Sequence, residues 1–394
     1  MQQDHGRTAK GDAPFSLVRG GPFYRLVRAL RLGRDDGFDV FRQGFVFACA
    51  SWGPFAFLAI GQRLWTGSWD PLVLDLAVHV RLLVVIPLLV ASEQALHLFT
   101  TRCTRRLIED GYATVETAAP AIARATRWRD AWFPEIALLV VSIAAGQAVL
   151  WKASSSGVMF GAWGTSAISA VRVWYAGFAL PLVEFLMLRM AWRWTIWFVF
   201  LWDISRLDLI PSALHPDERG GLSFFAEPAR GFAVAGGAVG ALLAGVWGGE
   251  LLSGATKLAA LTPVFWLVVL AAIVTNLGPL LVFSPCLFRA RLAAVEEYDS
   301  FALVYTRAFH HKWIEVGGTE GLLGTSDIQS MADLAHTLEI IHKMRVVPFD
   351  TRDIVIVAAA MALPMLPLIL ASVPLPELIR RILGSATALG GLTM

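Results

Sequence analysis

The chain has 394 residues, of which 56% are hydrophobic and only 16% charged. Soluble domains run at about 45–50% apolar and about 25% charged, so this composition excludes a soluble globular chain and marks a multi-pass membrane protein. A formal net charge of +2, with the basic residues dispersed, gives no argument for a nucleic-acid partner and none is expected, and three cysteines (Cys49, Cys103, Cys286) without ligand spacing suggest neither a disulfide framework nor a zinc site.

Residues 1–43 form an N-terminal tail. It holds no apolar run of the length that precedes a small-residue cleavage site, so it does not read as a secretory signal. From Phe15 to Arg34, apolar residues (Phe15, Leu17, Val18, Phe23, Leu26, Val27, Leu30) alternate with Arg19, Arg25, Arg28, Arg31 and Arg34. The pattern fits an amphipathic helix lying on a membrane surface, or a basic flank that enforces topology.

Seven apolar segments are long enough to cross a bilayer: about 44–61, 75–96, 133–151, 172–190, 232–252, 260–284 and 354–374. The expected fold is therefore all-α, a polytopic bundle of about seven transmembrane helices. Lys and Arg in the successive connections, tails included, number 8, 1, 6, 2, 5, 1, 7 and 2. Positive residues stay cytosolic, so the chain is expected N-in and C-out, with 375–394 as an external tail. Trp52, Trp65, Trp132, Trp151, Trp174 and Trp247 fall near span ends, where an aromatic belt would lie.

The second span carries charge at both ends: Asp75, His79 and Arg81, then Glu93 and His97. The apolar stretch 82–92 between them is too short to span, so any crossing window takes in Arg81, Glu93 or both. Ionisable groups at membrane depth face a protein interior or a water path. The fourth span runs apolar from Val173 to Trp202, interrupted by Glu184, Arg189 and Arg193. That exceeds a ~30 Å core, so either the helix continues into the cytosol or, the favoured expectation, it bends at Arg189 into an interfacial segment carrying Trp192, Trp194, Trp197 and Trp202. In the fifth span Ala233, Gly237, Ala241, Gly245 and Gly249 recur every four residues. Such a face suits tight packing within the bundle, or a homo-oligomer through Gly237, Ala241, Gly245 and Gly249.

Three longer segments are assigned to the cytosol. Residues 100–132 read as a helical hairpin and 191–230 as an interfacial segment plus loop. Residues 286–353 read as an extension of span six, a glycine-rich turn and a helix over about 327–345. Ser326 and Gln329 give that helix a capping-box start, and Ile328, Met331, Ala335, Leu338 and Ile341 its apolar face.

Three clusters are candidate sites. Toward the cytosolic half, Glu93, His97, Glu135, Glu184, Arg189 and Arg193 gather on spans two to four. Glu93 and Arg189 are expected to pair, either as a structural pin or on an ion or proton path with Glu93 as the exchangeable acid. The outer group is Asp75, His79 and Arg81. The loop 205–222 packs Arg206, Asp208, His215, Asp217, Glu218 and Arg219 among prolines and glycines. It would hold a divalent cation through His215, Asp217 and Asp208, dock a phosphate through its arginines, or serve as a self-paired connector. Gly318, Gly321 and Gly324 lack the GK[ST] of a P-loop, and no HExxH, GxSxG or CxxC occurs.

The stretches WDISRLDLIPSALHPDERGGL, LLGTSDIQSMADL and RLLVVIPLLVASE resemble those of an uncharacterised group of bacterial multi-pass inner-membrane proteins, from span two onward. The resemblance implies a bacterial inner-membrane location and no chemistry. The expected function is a transporter or channel for a small ion or solute, its partners the lipid bilayer and that solute, with no cofactor. The alternatives are an interfacial enzyme acting on lipid, or a non-catalytic assembly or sensing protein docking through 286–353.

Overall fold

The computed structural model describes residues 15–30, 39–155, 169–316 and 326–368. Among these the chain is helical throughout, with no strand. A short α1 (Pro22–Ala29) precedes α2 (Asp39–Thr66). Then follow α3 (Leu76–Glu109), α4 (Val115–Asp130), α5 (Trp132–Ser155), α6 (Ala170–Ile204) and α7 (Leu222–Leu252). The long α8 (Leu258–Glu315), α9 (Ser326–Lys343) and α10 (Thr351–Leu368) complete the order.

Six of these helices, α2, α3, α6, α7, α8 and α10, are long and apolar enough to cross a membrane, and α4 with α5 makes a seventh if that pair, bent by 41°, is one span. Six of the expected spans thus have such a helix among the described residues, α10 up to Leu368, while the third falls on α5 of the bent pair. The connections around 67–75 and 253–257 are short and lie at one end of the bundle. Those at 110–114, 205–221 and 344–350 gather at the other, the wide-loop end.

Helix α7 is the centre. It packs on α3, α8 and α10, and its small residues let the backbones close in. A Cβ built on Gly240 would lie 2.2 Å from the Met361 carbonyl, one on Gly237 3.1 Å from that of Ala360, and one on Gly245 3.1 Å from Ala77 Cα. The glycine stripe is thereby used within one chain, and Ala241 is buried with it. Gly249 has nothing within 4 Å and is the member of the expected association face still open.

Several local expectations are corrected. α6 does not bend at Arg189; it runs unbroken to Ile204. Arg189 and Arg193 are buried against other helices and so need no interfacial turn. The tryptophans there serve helix packing: Trp197 is buried, Trp192 stacks on Trp128 at 5.9 Å, and Trp194 donates to the Thr275 carbonyl at 2.9 Å. The irregular turn comes earlier, a π turn at Tyr175–Ala179. Phe15 to Gly21 is not part of a surface helix. Phe15, Ser16, Leu17 and Val18 are buried in the bundle; among the described residues of this stretch only Pro22–Ala29 is helical, and Arg31 and Arg34 lie outside them. Gln329 does not reach back to a cap; its amide donates to Asp333 within α9.

The hairpin over 100–132 is present, with α3 prolonged to Glu109 and α4 turning back. The extension of span six is longer than expected. At about 1.5 Å per residue, 58 residues reach about 87 Å, far beyond a bilayer core of about 30 Å. α9 folds back along it. Its inward residues are Met331, Leu334, Leu338 and Ile341, while Ile328 and Ala335 are exposed.

A repeat emerges from the backbone. Asp75 caps Leu76–Val80, which passes into a π turn at Arg81–Val85 and then an α-helix from Ile86 with Pro87 second. Ser169 caps Ala170–Trp174, which passes into a π turn at Tyr175–Ala179 and then an α-helix from Leu180 with Pro181 second. Element for element the two coincide. Each follows a partner helix that lays a glycine on the proline: Gly44 on Pro87, Gly146 on Pro181. So α2–α3 and α5–α6 share one backbone pattern, from cap through π turn to a proline met by a partner-helix glycine. Contacts between α3 and α6 ascend together (Arg81 with Tyr175, Ser92 with Met190, Glu93 with Arg189), so these broken helices lie parallel.

Candidate functional site

The most concentrated chemistry lies where α3, α5 and α6 approach the wide-loop end. Glu93 and Arg189 form the expected ion pair. Glu135 Oε1 accepts from Arg189 Nε and Arg193 Nη2, each at 3.2 Å. Glu135, Arg189 and Arg193 are 4%, 1% and 0% exposed and Glu93 15%, so two acids and two guanidiniums neutralise one another in a largely buried cluster. Burial of this kind is tolerable only when every charge has a partner.

The N-terminal segment closes the cluster. Phe23 N–H donates to Glu135 Oε2 at 2.8 Å, and Arg193 Nη2 donates to the Gly20 carbonyl at 3.2 Å. Arg129 Nη1 donates to the Ser16 carbonyl at 2.7 Å. The Arg189 guanidinium lies 4.7 Å from the Phe23 ring centre. His97 Nδ1 stands 2.7 Å from Ser16 Oγ. Gly20 and Gly21 make this approach possible, since a Cβ on Gly20 would meet Asp130 at 2.1 Å and one on Gly21 would meet Glu135 at 2.8 Å. Gly21 also takes φ +87°, a region glycine enters freely. A Gly-Gly-Pro run before a helix is the sequence signal for this docking.

Toward the other end, the outer group separates into distinct roles. Asp75 caps its helix through the Ala77 N–H at 2.9 Å. Trp52 Nε1 donates to His79 Nδ1 at 3.1 Å, which leaves Nε2–H to donate to the Val73 carbonyl at 2.7 Å. Those two residues are held by local structure, whereas Arg81 crosses to the other repeat and donates to Tyr175 Oη at 2.8 Å. Glu184 lies between this contact and the Glu93–Arg189 pair. One of its oxygens, Oε2, is covered and has no hydrogen-bond partner. A further pair escaped the sequence reading: Asp70 accepts from Ser169 Oγ at 2.6 Å and pairs with Arg172 at 3.3 Å, both nearly fully buried. Asp70 before Pro71 announces a turn, but nothing local announces Arg172.

The loop 205–222 is a folded clip. Asp217 accepts from the N–H groups of Arg219 at 2.8 Å, Gly221 at 2.9 Å and Ser223 at 3.3 Å, and His215 Nδ1 stands 2.8 Å from Oδ1. Burial pushes the Asp217 carboxyl up, but these donors outweigh it and hold it below its ordinary value. Arg219 spans to the Phe349 carbonyl at 3.3 Å and to Asp350 at 3.1 Å. Glu218, Gly220 and Gly221 take positive φ, and a Cβ on Gly221 would strike Tyr112 Oη. Arg206 stacks on Trp202 at 4.8 Å and Asp208 is exposed, so neither joins the clip. His215 and Asp217 are the weak metal candidates, and they are not joined by a third ligand. Among the described residues, no three His, Cys, Asp or Glu side chains are grouped to hold a metal ion. The expected self-pairing is met only by His215 with Asp217; Arg219 pairs with Asp350 and Glu218 with Arg345, so the loop is tied to the 344–350 connection. Gly318, Gly321 and Gly324 lie outside the described residues.

Compared with known proteins, the chain matches no family model, no curated sequence and no solved structure.

Proposed function

We propose that this chain is an integral membrane transporter or channel for a small ion or solute, sitting N-in and C-out with seven crossings in a bacterial inner membrane. One observation carries the reading. Between the parallel α3 and α6, polar and ionisable groups succeed one another along the membrane normal: Arg81 with Tyr175, then Glu184, then Glu93 with Arg189. From Arg81 to Glu93 the helix rises about 18 Å, more than half of a hydrocarbon core. Charged rows at such depth are costly and mark ion or solute pathways. The alternation of Lys and Arg between connections supports the orientation.

On this reading the conformation is closed. The paired cluster and the docked residues 15–23 seal the wide-loop end, and opening requires the Glu93–Arg189 pair to part. The test is reconstitution into planar bilayers under imposed K+, Na+, Cl− and proton gradients. The wild type is expected to carry flux above empty bilayers, and Glu93→Gln, folded by its melting curve, is expected to change it. Flux indistinguishable between the two would remove the reading.

The docking alternative rests on a different observation. The α8–α9 hairpin buries few of its own residues and exposes Phe301, Leu303, Val304 and Ile314. A partner that co-purifies only with the intact hairpin, in a chain that carries no flux, would favour it.

A further inference from the structure

We propose that the interface between the two repeated hairpins is a proton-binding site, with the Glu184 carboxyl taking up and releasing the proton. The proposal rests on the transport reading for its purpose, but its evidence is separate. Repeats that run parallel, related by an axis along the membrane normal, place coupling-ion sites between them near mid-depth, on helices whose regular winding is interrupted. Here both interruptions are π turns, at Arg81–Val85 and Tyr175–Ala179, and each is followed by a proline. Such turns are uncommon and recur at functional sites.

Within that interface the acids differ sharply. Glu93 and Glu135 are locked to guanidiniums. Asp75 is spent on a helix cap. Glu184 has one oxygen covered by protein and without a donor. A carboxylate in that state carries an uncompensated desolvation cost that a proton cancels, because the neutral acid needs no counter-charge. The charge whose field reaches it is that of Arg81, on the π turn of α3, and Tyr175, on its own helix, lies in the field of Arg81, Asp75 and Glu184 together. Arg81 already bonds Tyr175, so its charge is shared across the axis and is not locked to Glu184. An acid near a shared cation can alternate between charged and neutral forms without stranding a bare charge. At the equivalent place in the first repeat stands Val90, so the symmetric frame holds one such acid. The step is simple: the carboxylate takes a proton from water and becomes the neutral acid, and reverses.

The experiment reads protonation directly. Full-length protein in lipid nanodiscs is followed by infrared difference spectroscopy as buffer is exchanged between about pH 5 and about pH 9. The expected result is a carboxylic C=O band that comes and goes with pH, is lost in Glu184→Gln, and is retained with altered frequency in Glu184→Asp. Identical bands in wild type and Glu184→Gln would overturn the proposal, as would a band that persists in Glu184→Gln but vanishes in Glu93→Gln. If Glu184→Gln fails to fold, the decision falls to Glu184→Asp: an unshifted band overturns the proposal and a shifted one supports it. A Glu184 band in a protein whose bilayers carry no flux supports the site and defeats the transport reading, so the two fail separately.

Discussion

Glu135 sits where three chain segments meet, and its two oxygens serve Arg189, Arg193 and the Phe23 N–H. Replacing it by Gln keeps the shape and removes the charge, leaving two guanidiniums buried against a single acid. Removing one partner of a buried pair costs about 3–5 kcal/mol. Glu135→Gln is therefore expected to melt well below the wild type in detergent, and a melting point within a degree or two would show that the guanidiniums reach water by another way. Asp217 gives a pH-dependent counterpart. Its native carboxyl titrates below its ordinary value of 3.8, so its stabilisation is complete above 3.8 and is lost as pH falls from there through the lower native value. Acidification from neutrality to below about pH 4 is expected to cost the wild type more stability than Asp217→Asn. Equal losses would mean the clip does not depend on that charge. In the sequence, His215 and Asp217 read as weak metal ligands; their backbone donors become visible only once the loop closes on itself, with Glu218, Gly220 and Gly221 in left-handed conformations.

At the scale of elements, propensity and hydropathy located the helices but not their irregularities. Pro87 and Pro181 announce broken helices, and the π turns lie just before each of them. The match between the two segments was hidden because it rests on equal spacing from cap to proline, with different residues between. The small-residue stripe of α7 was legible as a packing face, and which helix fills it was not. That packing carries a direct test. Gly240→Ala would push a methyl to 2.2 Å from the Met361 carbonyl, and overpacking of this kind costs about 1–3 kcal/mol. Gly236→Ala meets nothing within 4 Å and is expected to be neutral or to gain up to about 1 kcal/mol from helix propensity. Equal melting points for the two variants would show that α10 does not press on α7 as described.

At the scale of the molecule, the two hairpins are fastened to each other along their length, among other contacts by Asp70 with Arg172, Arg81 with Tyr175, and Glu93 with Arg189. α7 and α10 close one flank, while α8 exposes Trp266, Leu267, Leu270 and Val274 as a helix bathed in lipid would. Beyond the bundle, α8 continues with α9 as an arm whose role belongs to the docking reading.

By itself the sequence determined that the chain is a bundle of long apolar helices and that charges on the second and fourth must be hidden from hydrocarbon. It also pointed to Glu93 meeting Arg189. These follow from local composition, because transfer into lipid is penalised residue by residue. Only the tertiary structure decided that residues 15–23 pack on the cluster, that Glu135 bridges both arginines, that the 205–222 loop is tied to the 344–350 connection, and that α3 and α6 share a π turn before a proline. Those outcomes depend on which backbones meet, and close approach between distant segments leaves no periodic mark on the residues that make it.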